Sequence, residues 1–445
     1  MKKLFFSAIT VFVAASVWSQ ANILPAPEQK GVMYVKNATI HVGNGKVIEN
    51  GIIQIRDGKI EKVGKDITIP SGEINVIDAN GKQVYPGLIL PTSTLGLVEV
   101  SAVRATNDVR ELGDLNPNVR SIVAYNTDSK VINTLRSNGI LAANIVPQGS
   151  FLAGSSSVVQ LDAWTWTDAA LQIDAGMHLY MPSLLPRPNV GRFGGNAPGG
   201  PNAAQQADPV KEGLDRIEQL KGFFREAKAY HTVKSHLEAN LKFESVKNLF
   251  NKKQKLYVHG NTVKQMLVAI DFVKEFGFDV VIVGGSESWQ IADLLKQNNI
   301  SVILQQPHSL PTTTSDDVDQ PYKTAAILQK AGVLFAISDD DNQTRGKNLP
   351  FNAGTAVTYG LGKEEAIAAI TLNAAKIMGV SDRIGSIEPG KDANFIISSG
   401  DILDMSTSNV TDAFIQGRKI NLDDKHKQLN DRYEQKYQIK GKKGF

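Results

Sequence analysis

The chain has 445 residues, 42% of them hydrophobic, enough for one large domain plus a smaller partner and too many for wholesale disorder. Lys and Arg number 48 against 45 Asp and Glu, a formal charge of +3, so the long-range positive field of a nucleic-acid binder is missing. The absence of cysteine removes disulfides, Cys-ligated zinc, iron–sulfur clusters and thiol nucleophiles together, leaving carboxylates and seven histidines as the only metal ligands.

In chain order, Lys2 and Lys3 precede an apolar stretch from Leu4 to Trp18, and Ser19-Gln20-Ala21 supplies small residues around a cleavage point. This predicts a secretory signal peptide over residues 1–21, with a membrane anchor as the other reading. No later segment reaches the roughly 18 apolar residues a span requires, so the mature protein is expected to be periplasmic or secreted, with no membrane span. Loss of Lys2 and Lys3 takes the charge from +3 to +1.

After a linker (Ile23 to Gly31), short strand patterns follow one another over 32–88, with Gly43-Asn44-Gly45 and Asp57-Gly58 as hairpin turns. From residue 89 to 385 the rhythm changes. Apolar runs such as Ile140 to Val146, Lys255 to Val258, Val280 to Val283 and Val302 to Leu304 alternate with helical stretches such as Thr262 to Phe276 and Tyr322 to Ala331. Parallel strands with helical crossovers are implied. The length predicts an α/β fold, a (β/α)8 TIM-like barrel, with a doubly wound sheet as runner-up. Strand patterns return over 386–422, and the two β segments are expected to join into a composite β-sandwich. Gly191 to Gln206 reads as a disordered loop or a lid, and 423–445 as a basic, solvated tail.

Two motifs carry a family resemblance. Gly81-Lys82-Gln83-Val84-Tyr85-Pro86-Gly87-Leu88-Ile89 is similar to the segment through which the amidohydrolase superfamily enters its barrel. Thr371-Leu372-Asn373-Ala374-Ala375-Lys376, with Arg383-Ile384-Gly385-Ser386-Ile387-Glu388-Pro389-Gly390-Lys391-Asp392-Ala393-Asn394, is similar to the segment that leaves it. Gly149 to Gly154 also resembles a stretch of the imidazolonepropionase-like branch. The resemblance implies a barrel with a β-sandwich and hydrolysis of non-peptide C–N bonds in amides or cyclic amides. It also implies a divalent metal at the C-terminal ends of the strands. Those ligands are His-x-His on strand 1, one His on each of strands 5 and 6, and an Asp on strand 8. Such a set leaves one position open for water, whose pKa falls to about 7 on zinc, and the strand 8 Asp takes the proton.

Few of those positions are kept. The His-x-His falls at Thr92 and Thr94, whose hydroxyls are poor ligands for zinc. The strand 6 His falls in the Gly284-Gly285 pair, while His259 and Asp339 remain, Asp339 as the candidate catalytic base and both as metal ligands. Thr92, Thr94, Gly284, Glu287 and His308 are the expected substrate-pocket residues. His178 is a strand-end candidate near the pocket. His231 and His236 sit five apart on a helix and share no face; His41 belongs to the β segment, His426 to the tail, and Asp340 and Asp341 to solvent. The cofactor expectation is one weakly held zinc or other divalent ion, or none. Three readings stay open: a hydrolase with a reduced metal site, an inactive homologue serving as a binding or partner subunit, and a scaffold for metal-free chemistry. The partner is a small molecule, with a homo-oligomer or pairing with an intact relative besides.

Overall fold

A computed structural model describes residues 23–72, 75–149, 151–185, 208–233, 235–339 and 344–439. The expected signal peptide, the 191–206 loop, Asp340, Asp341 and the tail beyond 439 lie outside the described residues.

The chain opens with β1 (Val32–His41), β2 (Val47–Arg56), β3 (Lys59–Gly64), β4 (Asn75–Asp78) and β5 (Gln83–Pro86). Then come β6 (Leu88–Ser93), β7 (Ile140–Ile145), β8 (Leu152–Gln160), β9 (Ala170–Tyr180), β10 (Lys255–Gly260), β11 (Val280–Gly284), β12 (Ser301–Leu304) and β13 (Phe335–Ile337). It closes with β14 (Phe395–Ser398), β15 (Val410–Ile415) and β16 (Arg418–Lys419). The β2–β3 turn is Asp57-Gly58, both residues at positive φ, the geometry that matches the twist of a two-residue hairpin.

Strands from both chain ends share one mixed sheet, in the order β16-β15-β14-β5-β1-β2-β3 with β4 also on β1. β14 pairs antiparallel with β5 from Phe395 opposite Pro86 to Ser398 opposite Gln83. The sequence predicts a sandwich; the hydrogen bonding runs as a single continuous sheet. Register shifts at Val35/Ala38 and Ala38/Ile40 bend β1, so that it meets β2 along one edge and β4 and β5 in succession along the other. Val35, Ile40, Ile53, Ile55, Val84, Phe395 and Phe414 form its core.

The second sheet, β13-β12-β11-β10-β9-β8-β7-β6, is a nearly closed barrel. Its two edge strands approach through Thr92 Oγ1 and Ser338 Oγ, 2.7 Å apart. It departs from eight βα repeats in one respect. β8 runs antiparallel to both β7 and β9. The chain between Ile145 and Leu152 is too short for the dozen or so residues a parallel crossover needs, so β7 must turn back on itself.

Side chains alternate between two environments along these strands. Ile89, Ala142, Val158, Tyr257, Val281, Ile303 and Ala336 pack with Ala374, Ile377 and Met378 of the helix Leu372–Met378. Leu88, Leu90, Leu256, Val258, Val280, Ile282 and Phe335 pack in the larger core with the helices, including Met266, Ala269 and Ile270 of Val263–Phe276. That helix starts on a capping box of Thr262 and Gln265 and stops at Gly277, whose positive φ permits the left-handed cap.

One carboxylate fastens the two sheets. Asp162 accepts from Arg136 Nη1 at 2.6 Å, Arg418 Nη1 at 2.8 Å and the backbone N–H of Ala26 at 3.0 Å. All three charged side chains are buried, and burial holds the Arg136 guanidinium below its usual pKa against the pull of Asp162.

Candidate functional site

The C-terminal strand ends of the barrel surround a cleft of about 270 Å³, lined among others by Thr92, Thr94, Gln148, Tyr180, His259 and Gln305. None of the described residues lining it is Asp, Glu, Lys or Arg. Thr94 is buried and its Oγ1 has no hydrogen-bond partner among the described residues. Thr92 instead uses its hydroxyl on Ser338.

His259 stands at the end of β10, opposite Tyr180 of β9, and the two rings stack at 3.9 Å between centroids. Its Nε2 lies 2.8 Å from Nδ1 of His178, whose own Nε2 lies 2.7 Å from Ser156 Oγ. His178 is fully buried and stacks on Tyr257. Burial removes the hydration that an imidazolium needs, pulling His259 down to about 3 and His178 well below its ordinary value, with the neighbouring ring adding to the effect on His178. Both rings are therefore neutral, and one proton sits in their contact. When His178 donates, it accepts from Ser156 and His259 carries its proton on Nδ1. When His259 donates, His178 donates on to Ser156 and Nδ1 of His259 is an acceptor.

Asp339 follows β13 and is buried, but both its oxygens are engaged. Oδ1 accepts from Arg345 Nε at 3.0 Å and Oδ2 from Asn352 Nδ2 at 3.1 Å. Gly284 ends β11 at φ +102, where a Cβ would stand 2.4 Å from Asn261 Oδ1. Glu287 turns away from the cleft: its carboxylate accepts from the Val263 N–H at 2.7 Å and caps the helix Val263–Phe276. His308 is exposed, edge-on to Tyr322, and faces a separate hollow with Phe351 and Asp401. Of the expected pocket residues, then, Thr92 and Thr94 meet in this cleft beside His259, the expected metal ligand, while Gly284 lines the adjoining one. Glu287 and His308 do not join them.

Ser156, Tyr180, Arg345 and Asn352 escape the sequence reading. Ser156 belongs to the antiparallel β8, a strand the alternation of parallel strands and helices does not anticipate. Tyr180 and Asn352 carry no motif. His178 does carry a signal, since it stands two residues before the end of a strand neighbouring that of His259, on the same alternating face.

Residues 212–421 match the sequence model described as the amidohydrolase family. An 81-residue stretch is 42% identical to the imidazolonepropionase of Flavobacterium johnsoniae, covering 18% of this chain and 20% of that one. A 110-residue stretch is 36% identical to the imidazolonepropionase of Phocaeicola vulgatus, covering 24% and 25% respectively. The matches thus span about a fifth to a quarter of these curated relatives. An amidohydrolase from Thermotoga maritima superposes with a TM-score of 0.73 at 26% identity, over 87% of this chain and 99% of that one. An adenosine deaminase from Xanthomonas campestris, determined with bound zinc, shares the fold alone: TM-score 0.51, 15% identity, 93% of this chain and 99% of that one. The family match over 212–421, the local relatives and the fold together support membership of the amidohydrolase superfamily.

The divalent metal of that superfamily does not fit the donor set found here. Two of the expected ligand positions are threonines and one is glycine. His259 turns Nε2 onto His178, and Asp339 spends both oxygens on Arg345 and Asn352. Among the described residues no three His, Asp or Glu side chains converge as a metal site would require.

Proposed function

We propose that this chain, of C–N hydrolase kind by family, keeps the superfamily's small-molecule cleft for a neutral amide or cyclic amide without the metal. It acts as an exported binding or partner subunit, alone, as a homo-oligomer or beside an intact relative. The observation that carries this reading is the engagement of His259 Nε2 by His178, which spends one of its two ring nitrogens on a neutral neighbour. The uncharged side chains among the described lining support a neutral ligand, because an ion desolvated there would find no opposite charge among them. Periplasmic or secreted placement rests on the leader at 1–21, and the mature N-terminus is then expected near Asn22.

A second reading keeps turnover. The local similarity to imidazolonepropionases supports hydrolysis of a cyclic amide, and the Ser156–His178–His259 chain is a route for a proton without metal. Elemental analysis beside a survey of cyclic-amide hydrolysis, on wild type, His259→Ala and Asp339→Asn, separates the two. The binding reading expects zinc well below one per chain and equal inertness in all three proteins. One tightly held metal lost together with an activity in His259→Ala overturns it. Metal-independent hydrolysis lost in His259→Ala replaces it with the second reading.

A further inference from the structure

We propose that the barrel mouth is a two-part site, taking a planar amide or ureide head beside Thr94 and an aromatic or branched apolar tail in an adjoining pocket beside Trp289 and Tyr322. This rests on the small-molecule reading above and adds the ligand's second half. The two cavities, about 270 and 290 Å³, share Asn261 and Gln305 as lining residues, so they are compartments of one cleft.

Their chemistry differs. The first compartment offers Thr94, a residue 5% exposed whose buried hydroxyl has no partner among the described residues, together with the amide of Gln148. A neutral amide both donates and accepts, and it satisfies such a wall without bringing a charge into it. The second compartment is walled by Trp289, Leu304, Pro307, Tyr322, Ala325 and Ala356. The Tyr322 ring is fixed from two sides, stacked on Tyr359 at 4.9 Å and met by the edge of His308 at 5.6 Å. An aromatic wall already held in place loses little freedom when a ligand ring packs on it. Asp316 is the one charged residue among the described residues lining this compartment, and it is partly exposed, with Oδ2 accepting from the Thr313 N–H. A cationic tail is not required.

Calorimetric titration of the purified protein with hydantoin and with 5-benzylhydantoin tests the proposal. Burial of one ring is expected to tighten binding of the benzyl compound about 10- to 100-fold over hydantoin. Trp289→Ala should erase that advantage and leave hydantoin unchanged. Thr312→Trp, which fills the compartment from its exposed rim, should do the same without touching a wall. Thr94→Val should weaken both compounds alike. Equal affinity for the two compounds, or an advantage that survives both Trp289→Ala and Thr312→Trp, overturns the two-part site and leaves the cleft reading standing. A benzyl compound indifferent to Thr94→Val overturns the placement of the head. Failure of both compounds to bind at millimolar concentration overturns the cleft reading itself.

Discussion

Nδ1 of His178 lies 2.8 Å from Nε2 of His259, and this contact decides what the strand-end histidine can do. A nitrogen already sharing a proton with a buried neighbour cannot also face a metal ion, and a neutral pair in a cleft whose described lining carries no charge favours neutral ligands.

The pair also writes a pH signature into stability. Unfolded, each ring takes up a proton near its ordinary value of 6.5; folded, His259 resists until about 3 and His178 until well below its ordinary value. The unfolded state therefore holds more protons in this window. Stability is complete above about pH 6.5 and falls as the pH is lowered toward 3, by up to about 1.4 kcal/mol per pH unit for each ring. His259→Gln keeps a polar neighbour for His178 and removes one titrating ring. Urea unfolding at a series of pH values should give a flatter stability curve for the variant between pH 6 and 4 (about one ring's share). Parallel curves would show that His259 is not held neutral by the fold.

Much of this architecture is legible in the sequence, for physical reasons that can be named. The Asp57-Gly58 turn announces its hairpin because both residues tolerate positive φ. The apolar runs at Val280 and Val302 announce parallel strands because they are buried on both faces. The reversal at β8 was also written there, in a connection after Ile145 too short to cross over, but an assumed repeat of strand and helix conceals it. The site is less legible. His259 and Asp339 can be placed by position and His178 by its strand end, yet the contact between the two rings and the donors Arg345 and Asn352 are set by tertiary packing, which no local pattern encodes. Glu287 shows the converse. A carboxylate three residues past a strand end reads as a pocket group, but the nearest unsatisfied donor was the first turn of the helix Val263–Phe276.

Asp339 is held by two donors of unequal weight. Arg345 is 52% exposed, so water screens its pairing and Arg345→Met should cost about 1 kcal/mol. Asn352 is buried, and Asn352→Leu leaves one carboxylate oxygen facing an apolar group, which should cost about 1–3 kcal/mol. Asp339→Asn in the Asn352→Leu background should recover part of that loss, since a neutral amide is cheaper to bury than a carboxylate. Denaturant midpoints across the four proteins measure this coupling. Strict additivity would mean that Asn352 does not serve Asp339.

Asp162 presents a heavier case because its carboxylate and both arginine side chains that face it are largely buried. Asp162→Asn strips the negative charge from between Arg136 and Arg418, and a buried pair broken on one side typically costs about 3–5 kcal/mol. The Ala26 N–H keeps an acceptor in that variant, so the damage should come from charge and not from the lost cap. Equilibrium unfolding should show the loss, and limited proteolysis should cut the 23–31 segment sooner as β16 loosens from the barrel. A loss below about 1 kcal/mol would show that the two arginines are solvated well enough to do without their partner.

Restoring the superfamily's strand-end histidine at Gly284 should fail, and the backbone says why. Gly284 sits at φ +102, a region that side-chain-bearing residues rarely adopt, with a strain of about 1–3 kcal/mol for any that is forced there. Its Cβ would also stand 2.4 Å from Asn261 Oδ1 and 3.1 Å from the Gly260 carbonyl oxygen. Gly284→His should therefore lower stability by about 2 kcal/mol or more and take up no stoichiometric zinc. Adding Asn261→Gly removes the side-chain collision but neither the φ nor the Gly260 contact, so only part of the loss should return. Thermal unfolding with and without added zinc reads both effects at once. A single variant as stable as wild type, with a melting temperature raised by zinc, would place this cleft one substitution from a metal centre and undo the case that its backbone has closed around the missing ligand.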